Sequence, residues 1–223
     1  MDLVGGKFMI DEGKIIENAF AYIKTIFSSD CSGHDYYHSI RVYHNALSLA
    51  HKEGGNLFLI KLAALLHDVD DRKLFYTSDQ LKNARSFMSD NDLDESLIEE
   101  ICSIIKSVSF KGSDSVTPPT IEGKIVQDAD RLDALGAIGI ARTFAYGGHN
   151  GRAIYEPNEI PIENMTAAEY EQHRSTSINH FYEKLLKLKY LMNTDAAKAM
   201  AEHRHSYMEE FLDEFMMEWK GAR

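Results

Sequence analysis

Four places along the chain bring metal-ligating and acid–base side chains to spacings at which they could act together. The first is His34-Asp35-Tyr36-Tyr37-His38-Ser39-Ile40-Arg41, with two histidines one helical turn apart. The second is Leu65-Leu66-His67-Asp68-Val69-Asp70-Asp71, where an apolar run ends in a dense acidic cluster. The third, Gln127 to Ala134, sets Asp130 and Asp133 on one helical face by i,i+3 spacing. The fourth joins Arg142 with His180-Phe181-Tyr182-Glu183-Lys184. A His-Asp pair closing a buried helix places a carboxylate where an unpaired charge is costly. A divalent metal relieves that cost, because it takes neutral imidazole and carboxylate together. Taken singly, the pair reads more simply as a capping aspartate or a satisfied core histidine. Asp130 likewise reads as half of a buried ion pair with Arg131 or Arg142.

The elements that must position these groups are helices. Apolar residues recur at helical spacing, and no convincing alternating strand is visible. The pattern predicts helices over about 11–28, 35–51, 57–68, 79–89, 95–108, 121–134, 136–146, 167–192 and 195–219. Ser78, Asp94 and Thr120 are placed to cap helix starts, and Thr166 with Glu169 forms a T-x-x-E capping box. Gly54-Gly55 and Gly147-Gly148 mark stops. Two stretches read as irregular, Lys111 to Pro119 and Gly147 to Pro161. The second is long for a connection inside a compact domain, which suggests a loop bordering a substrate cleft.

The order H…HD…D, carried by HDYYHSIRV, LLHDVDD and VQDADRLDALGAIGIAR, resembles the HD-domain phosphohydrolase superfamily. It is most similar to the small stand-alone bacterial branch, in which ARTFAYGG and HFYEKLLKL also recur. The resemblance implies an all-α fold and hydrolysis of a phosphate ester or anhydride. It gives one domain over residues 1–223, with an HD core at about 20–145 and C-terminal helices at about 166–219. Carried over by position, the metal ligands are His38, His67, Asp68 and Asp130, with Asp133 the competing fourth ligand. Asp71, and second Asp70, match the acidic residues that assist the attacking water. Arg41, Arg131, Arg142 and Lys184 are candidates for phosphate contact, since guanidinium and ammonium groups offset phosphoryl charge. His34 reads either as a phosphate donor beside His38 or as a cap for the helix that follows. Members with two or three metals carry extra histidines between HD and the last Asp. This chain has none between His67 and His149, so one metal is expected. Mn²⁺ is favoured by the mixed imidazole and carboxylate set, with Mg²⁺, Fe²⁺, Ni²⁺ or Co²⁺ as alternatives. The implied substrate is a nucleotide, with pyrophosphate release from a nucleoside triphosphate first and monophosphate dephosphorylation second. The alternative is a non-catalytic metal or nucleotide sensor on the same fold.

Composition narrows the partners. A formal net charge of −11 repels a phosphate polymer at long range, which argues against DNA or long RNA. A small anion remains compatible, because a metal and a few cations dominate the field inside a cleft. The two cysteines, Cys31 and Cys102, form no CxxC pattern and exclude a disulfide framework. No basic-then-apolar leader and no membrane-length apolar run is visible, so a cytoplasmic protein with no membrane partner is expected, and an oligomer is left open.

Overall fold

The computed structural model describes residues 10–27, 35–71, 81–108, 116–162, 165, 166, 169 and 173–222. Among these residues there are helices and connections but no strand. In chain order the helices are α1 (Glu12–Ile26), α2 (Tyr36–Glu53), α3 (Leu57–Leu66), α4 (Lys82–Asp90), α5 (Glu95–Val108), α6 (Ile121–Asp133) and α7 (Gly136–His149). Then come α8 (177–191) and α9 (Asp195–Trp219). The α8 segment is composite: a turn of α-helix at Ser177–His180, a π turn at Phe181–Leu185, and a 3₁₀ end at Lys189–Leu191.

Three helices make the centre. α3 is apolar nearly all round and buries eight of its ten residues, including Phe58, Leu62 and Leu66. It packs on α1, α2, α5 and α6, and only Leu57 at its start is exposed. α6 is also buried, although it carries Gln127, Asp128, Arg131 and Asp133. Each of these polar groups therefore needs a partner inside the protein. Gln127 Nε2 donates to the carbonyls of Ser107 and Val116. Asp128, fully buried, accepts from the backbone N–H groups of Asn193 and Thr194 and from both their side chains. That carboxylate ties the junction of α8 and α9 to the middle of α6. α9 then packs along α7, α6 and α2, with Arg204 donating to the Leu132 carbonyl and to Asn45.

The expected caps at described positions form. Asp94 accepts from Leu97 N–H and Thr120 from Gly123 N–H. Thr166 and Glu169 exchange both bonds of their capping box. Ser78 and His34 lie outside the described residues, and Asp35 is the residue that caps α2, accepting from His38 N–H. Two boundaries differ from the sequence reading. Within the helix expected over 167–192, Glu169 is helical, but residues 173–176 are irregular and a new helix starts at Ser177 with Thr176 as its cap. The stop expected at Gly147 falls later, at Asn150. Gly147 is instead a buried helical residue on which Ser177 packs; a Cβ there would lie 2.3 Å from the Ser177 hydroxyl.

Gly139 shows the same logic against backbone. A Cβ at this position would lie 2.2 Å from the Ala134 carbonyl oxygen, a contact that no rotamer change can relieve. Helix propensity alone favours Gly139→Ala by about 1 kcal/mol. Overpacking reverses the sign, so we predict destabilisation by about 1–3 kcal/mol, read as a lower urea midpoint.

Candidate metal centre

His38 lies in the first turn of α2, three residues past the Asp35 cap, where packing on α6 buries it to 1% exposure. His67 and Asp68 follow the last residue of α3, where the helix gives way to a turn over 67–70. Asp130 and Asp133 come from the last turn of α6. Three helices that share a core thus deliver their polar ends to one point.

The hydrogen bonds at the rear of each ring decide what faces inward. His67 Nδ1 lies 2.9 Å from the Ala64 carbonyl, an acceptor, so Nδ1 carries the proton and Nε2 offers a lone pair. His38 Nδ1 lies 2.7 Å from Asp133 Oδ2, which orients that ring in the same way. The two Nε2 atoms then face each other at 3.2 Å. Asp68 Oδ2 is 3.3 Å and Asp130 Oδ1 3.4 Å from His38 Nε2. Asp68 Oδ1 is 3.4 Å and Asp130 Oδ1 3.8 Å from His67 Nε2. Ligand atoms on a divalent ion with bonds of about 2.1 Å stand roughly 3.0 Å apart at right angles and roughly 3.4 Å apart in a tetrahedron. His38, His67 and Asp68 therefore bring ligand atoms close enough together for one small cation, and Asp130 Oδ1 faces both rings beside them.

Electrostatics say the same. Burial alone would depress the His38 imidazolium, but hydrogen bonds to Asp130, Asp133 and Asp68 overcome it and push the group up to about 10. Burial would raise the Asp130 carboxyl, but His38 and His67 hold it below its usual value. Without a metal, a proton on His38 is the cation that this cluster holds.

Asp133 does a different job from Asp130. Its oxygens accept from Arg41 Nε at 2.6 Å and Arg41 Nη2 at 3.0 Å, from Arg142 Nη1 at 2.7 Å, and from the rear nitrogen of His38. It buttresses the ring instead of pointing at the cluster, and its carboxyl is held well below the usual range, against burial, by His38 and Arg41. Asp70 is also committed elsewhere: both its oxygens accept from the Asn83 and Ala84 N–H groups at the start of α4. Asp71 follows one residue beyond, half-buried, with its N–H on the Asp68 carbonyl.

Of the candidate cations, Arg41 and Arg142 meet on Asp133 at the edge of the cluster. Arg131 is 5% exposed and donates to the Leu191 carbonyl, which fixes it to the end of α8 and not to the acidic group. Lys184 stands half-buried on the π turn of α8. Burial lowers its ammonium, while Asp130 and Asp71 oppose that shift. Beside it, Glu183 is buried and accepts from His173 Nε2 at 3.0 Å and from Ile162 N–H. Sequence reasoning did not single out His173, because its only signal is a partner ten residues away across a segment read as helix.

A model of the HD domain matches residues 35–135. YpgQ from Bacillus subtilis (strain 168), described as uncharacterized, is 36% identical over 207 residues, covering 90% of this chain and 92% of that protein. An HD-superfamily hydrolase from Bacillus thuringiensis has a solved structure 47% identical, with a TM-score of 0.73 over 94% of this chain and 98% of that one. The chain belongs to the HD-domain superfamily. A Lactobacillus plantarum structure superposes at a TM-score of 0.82 with 41% identity, over 93% of this chain and 98% of its own. YpgQ has also been solved in complex with ADP; it is 30% identical in that superposition, at a TM-score of 0.74 over 93% and 96% of the chains. The matched HD segment begins at the α2 cap and ends just past α6, so it contains all four converging side chains. Arg142 and Lys184 come from helices beyond it. Among the described residues no helix is long and apolar enough to cross a membrane.

A proton on His38 must leave when a metal takes its Nε2. Between the ordinary histidine value of 6.5 and about 10 the metal-free protein holds that proton. We expect Mn²⁺ affinity to rise about tenfold per pH unit across this window, with release of one proton. The sign for stability is the opposite. The raised value stabilises the metal-free fold fully below 6.5, and this contribution is lost as pH climbs through about 10. Calorimetry in buffers of different ionisation enthalpy reads the first, and melting of EDTA-treated protein against pH reads the second. A flat affinity profile overturns both.

Proposed function

We propose that this protein is a single-metal phosphohydrolase that acts on a small nucleotide, with pyrophosphate release from a nucleoside triphosphate as its first reaction. Dephosphorylation of a monophosphate is the second candidate. The observation that carries the reading is the meeting of His38 Nε2, His67 Nε2, Asp68 and Asp130 within 3.2–3.8 Å, with both rings oriented from behind. Nucleotide as the substrate class is supported by the ADP complex of YpgQ. A divalent metal held there, with Mn²⁺ as our choice, would polarise a phosphoryl oxygen and acidify water.

The chain's own residues supply the rest. Asp71, one turn past the ligand Asp68, takes the proton of the attacking water, whose oxygen bonds to phosphorus as the pyrophosphate oxygen leaves. Asp70 is the weaker candidate for this role, because its oxygens already hold the start of α4. Lys184 and Arg142 offset charge that develops on the phosphoryl oxygens. Arg41 and Asp133 keep His38 turned toward the centre. A nucleotide panel with Mn²⁺, reading phosphate and pyrophosphate separately, tests the reaction. Neither product from any nucleotide would leave a non-catalytic sensor as the better reading.

The two acidic roles separate by substitution. Asp68→Ala and Asp130→Ala each remove a charged ligand, so bound Mn²⁺ should fall to background by elemental analysis. Asp71→Ala should keep its metal while kcat drops by about 10²–10⁴. Asp133→Ala should weaken Mn²⁺ by about 10–100-fold and leave the site intact. Metal-replete Asp130→Ala beside metal-free Asp133→Ala would reverse the ligand assignment.

A further inference from the structure

The segment after α7 and the segment before α8 enclose a second feature, a cavity of about 400 Å³. Its wall includes Arg152, Glu159, His173, Arg174, Ser175 and Thr176. In a chain of net charge −11, three of these six side chains are cationic or can become so, and one, Glu159, is anionic. Among the described residues, Arg152 and Arg174 make no ion pair; Arg152 instead lies 5.8 Å over the Tyr146 ring. Two guanidiniums that are paired with no described carboxylate, against the single carboxylate of Glu159 in the wall, leave net positive charge for an anion to neutralise.

The wall is also held in place. Arg152 N–H donates to the Gly147 carbonyl, and Ser177 and Ile178 N–H donate to the Ala153 and Ile154 carbonyls. These bonds staple the segment carrying Arg152 to the start of α8. His173 is fixed by the buried Glu183. Ser175 is 8% exposed, and its hydroxyl has no partner within the protein. A rigid wall with spare donors binds an anion with little ordering cost.

Two connections run from the metal cluster toward the cavity. Along α7, Arg142 sits at the cluster edge on Asp133, Tyr146 one turn on lines the cavity, and Asn150 a turn further lines it again. Four residues of helix advance about 6 Å. On α8, Glu183 grips His173 of the cavity, while Lys184 beside it interacts electrostatically with both Asp130 and Tyr146.

We propose that this cavity receives the terminal phosphates of a nucleoside triphosphate, with Arg152 and Arg174 as their binding residues, while the metal cluster holds the phosphorus that is attacked. The inference rests on the pyrophosphate-releasing reading above and extends it with a separate site for the leaving group. Small donors and planar guanidiniums suit phosphate oxygens better than a base, because the Tyr146 face is already covered by Arg152.

The test uses Arg152→Gln, Arg174→Gln and the double variant of the full chain, with matched melting curves as the folding control. Inorganic pyrophosphate is titrated calorimetrically into EDTA-treated protein, where turnover plays no part. Each substitution should weaken it about tenfold and the pair about a hundredfold, as expected for lost charge-assisted hydrogen bonds. With Mn²⁺, KM for the triphosphate should rise in step, while KM for the matching monophosphate stays within about twofold. Unchanged pyrophosphate affinity in the double variant, or equal losses for triphosphate and monophosphate, overturns the inference. Wild-type protein that binds pyrophosphate through these arginines yet releases none from any triphosphate keeps the anion site and overturns the reaction. Pyrophosphate release that persists with normal KM in the double variant keeps the reaction and overturns the site.

Discussion

Two imidazole lone pairs facing each other at 3.2 Å, with two carboxylates at 3.3–3.8 Å, form an arrangement that only a cation makes stable. Either a proton or a metal must sit among these atoms, since an uncompensated cluster of this kind inside a protein is costly. The helices meet at this demand. α2, α3 and α6 pack so closely that their polar ends cannot retreat to water, and α3 has no hydrophilic face on which to turn. The apolar core thereby keeps the ligands together before any metal arrives, which reduces the ordering that binding must impose.

Behind the cluster lies a layer of groups whose task is orientation. Asp133 holds His38 from the rear and is itself neutralised by two arginines from different helices, Arg41 on α2 and Arg142 on α7. The Ala64 carbonyl does the same for His67 without any side chain. The acidic residues crowded into 68–71 divide similarly. Asp68 faces the histidines, Asp70 caps the start of α4, and Asp71 donates its N–H to the Asp68 carbonyl while its charge acts on Lys184. Neighbours in sequence thus turn to three different surroundings.

Helices beyond the HD segment bring further positive charge toward the centre, Arg142 from α7 and Lys184 from α8. A π turn widens α8 at Phe181–Leu185, the stretch where Glu183 turns to His173 and Lys184 interacts with Asp130. Such turns interrupt the regular 3.6-residue register and are frequent at functional sites. Asp128 holds the other end of this segment, through four donors at Asn193 and Thr194, so the position of α8 is fixed from both sides.

The all-helical architecture was legible in the chain because helical periodicity and caps are local. Asp94, Thr120 and the Thr166–Glu169 box act within one turn of their own position. The H…HD…D residues were legible because their types and order are distinctive even before their distances are known. Where locality failed, the reading failed too. The glycines at 147 and 148 signalled a stop, yet Gly147 is helical because Ser177 needs its missing side chain. Residues 173–176 fell within an expected helix, but Glu183 takes His173, and the Ala153 and Ile154 carbonyls take the Ser177 and Ile178 N–H groups that a continuous helix would withhold. Asp130 and Asp133 share a face, and spacing alone left them equivalent. Only the tertiary structure separated them, because Arg41 and Arg142 arrive from other helices to occupy Asp133, leaving Asp130 to face the two histidines.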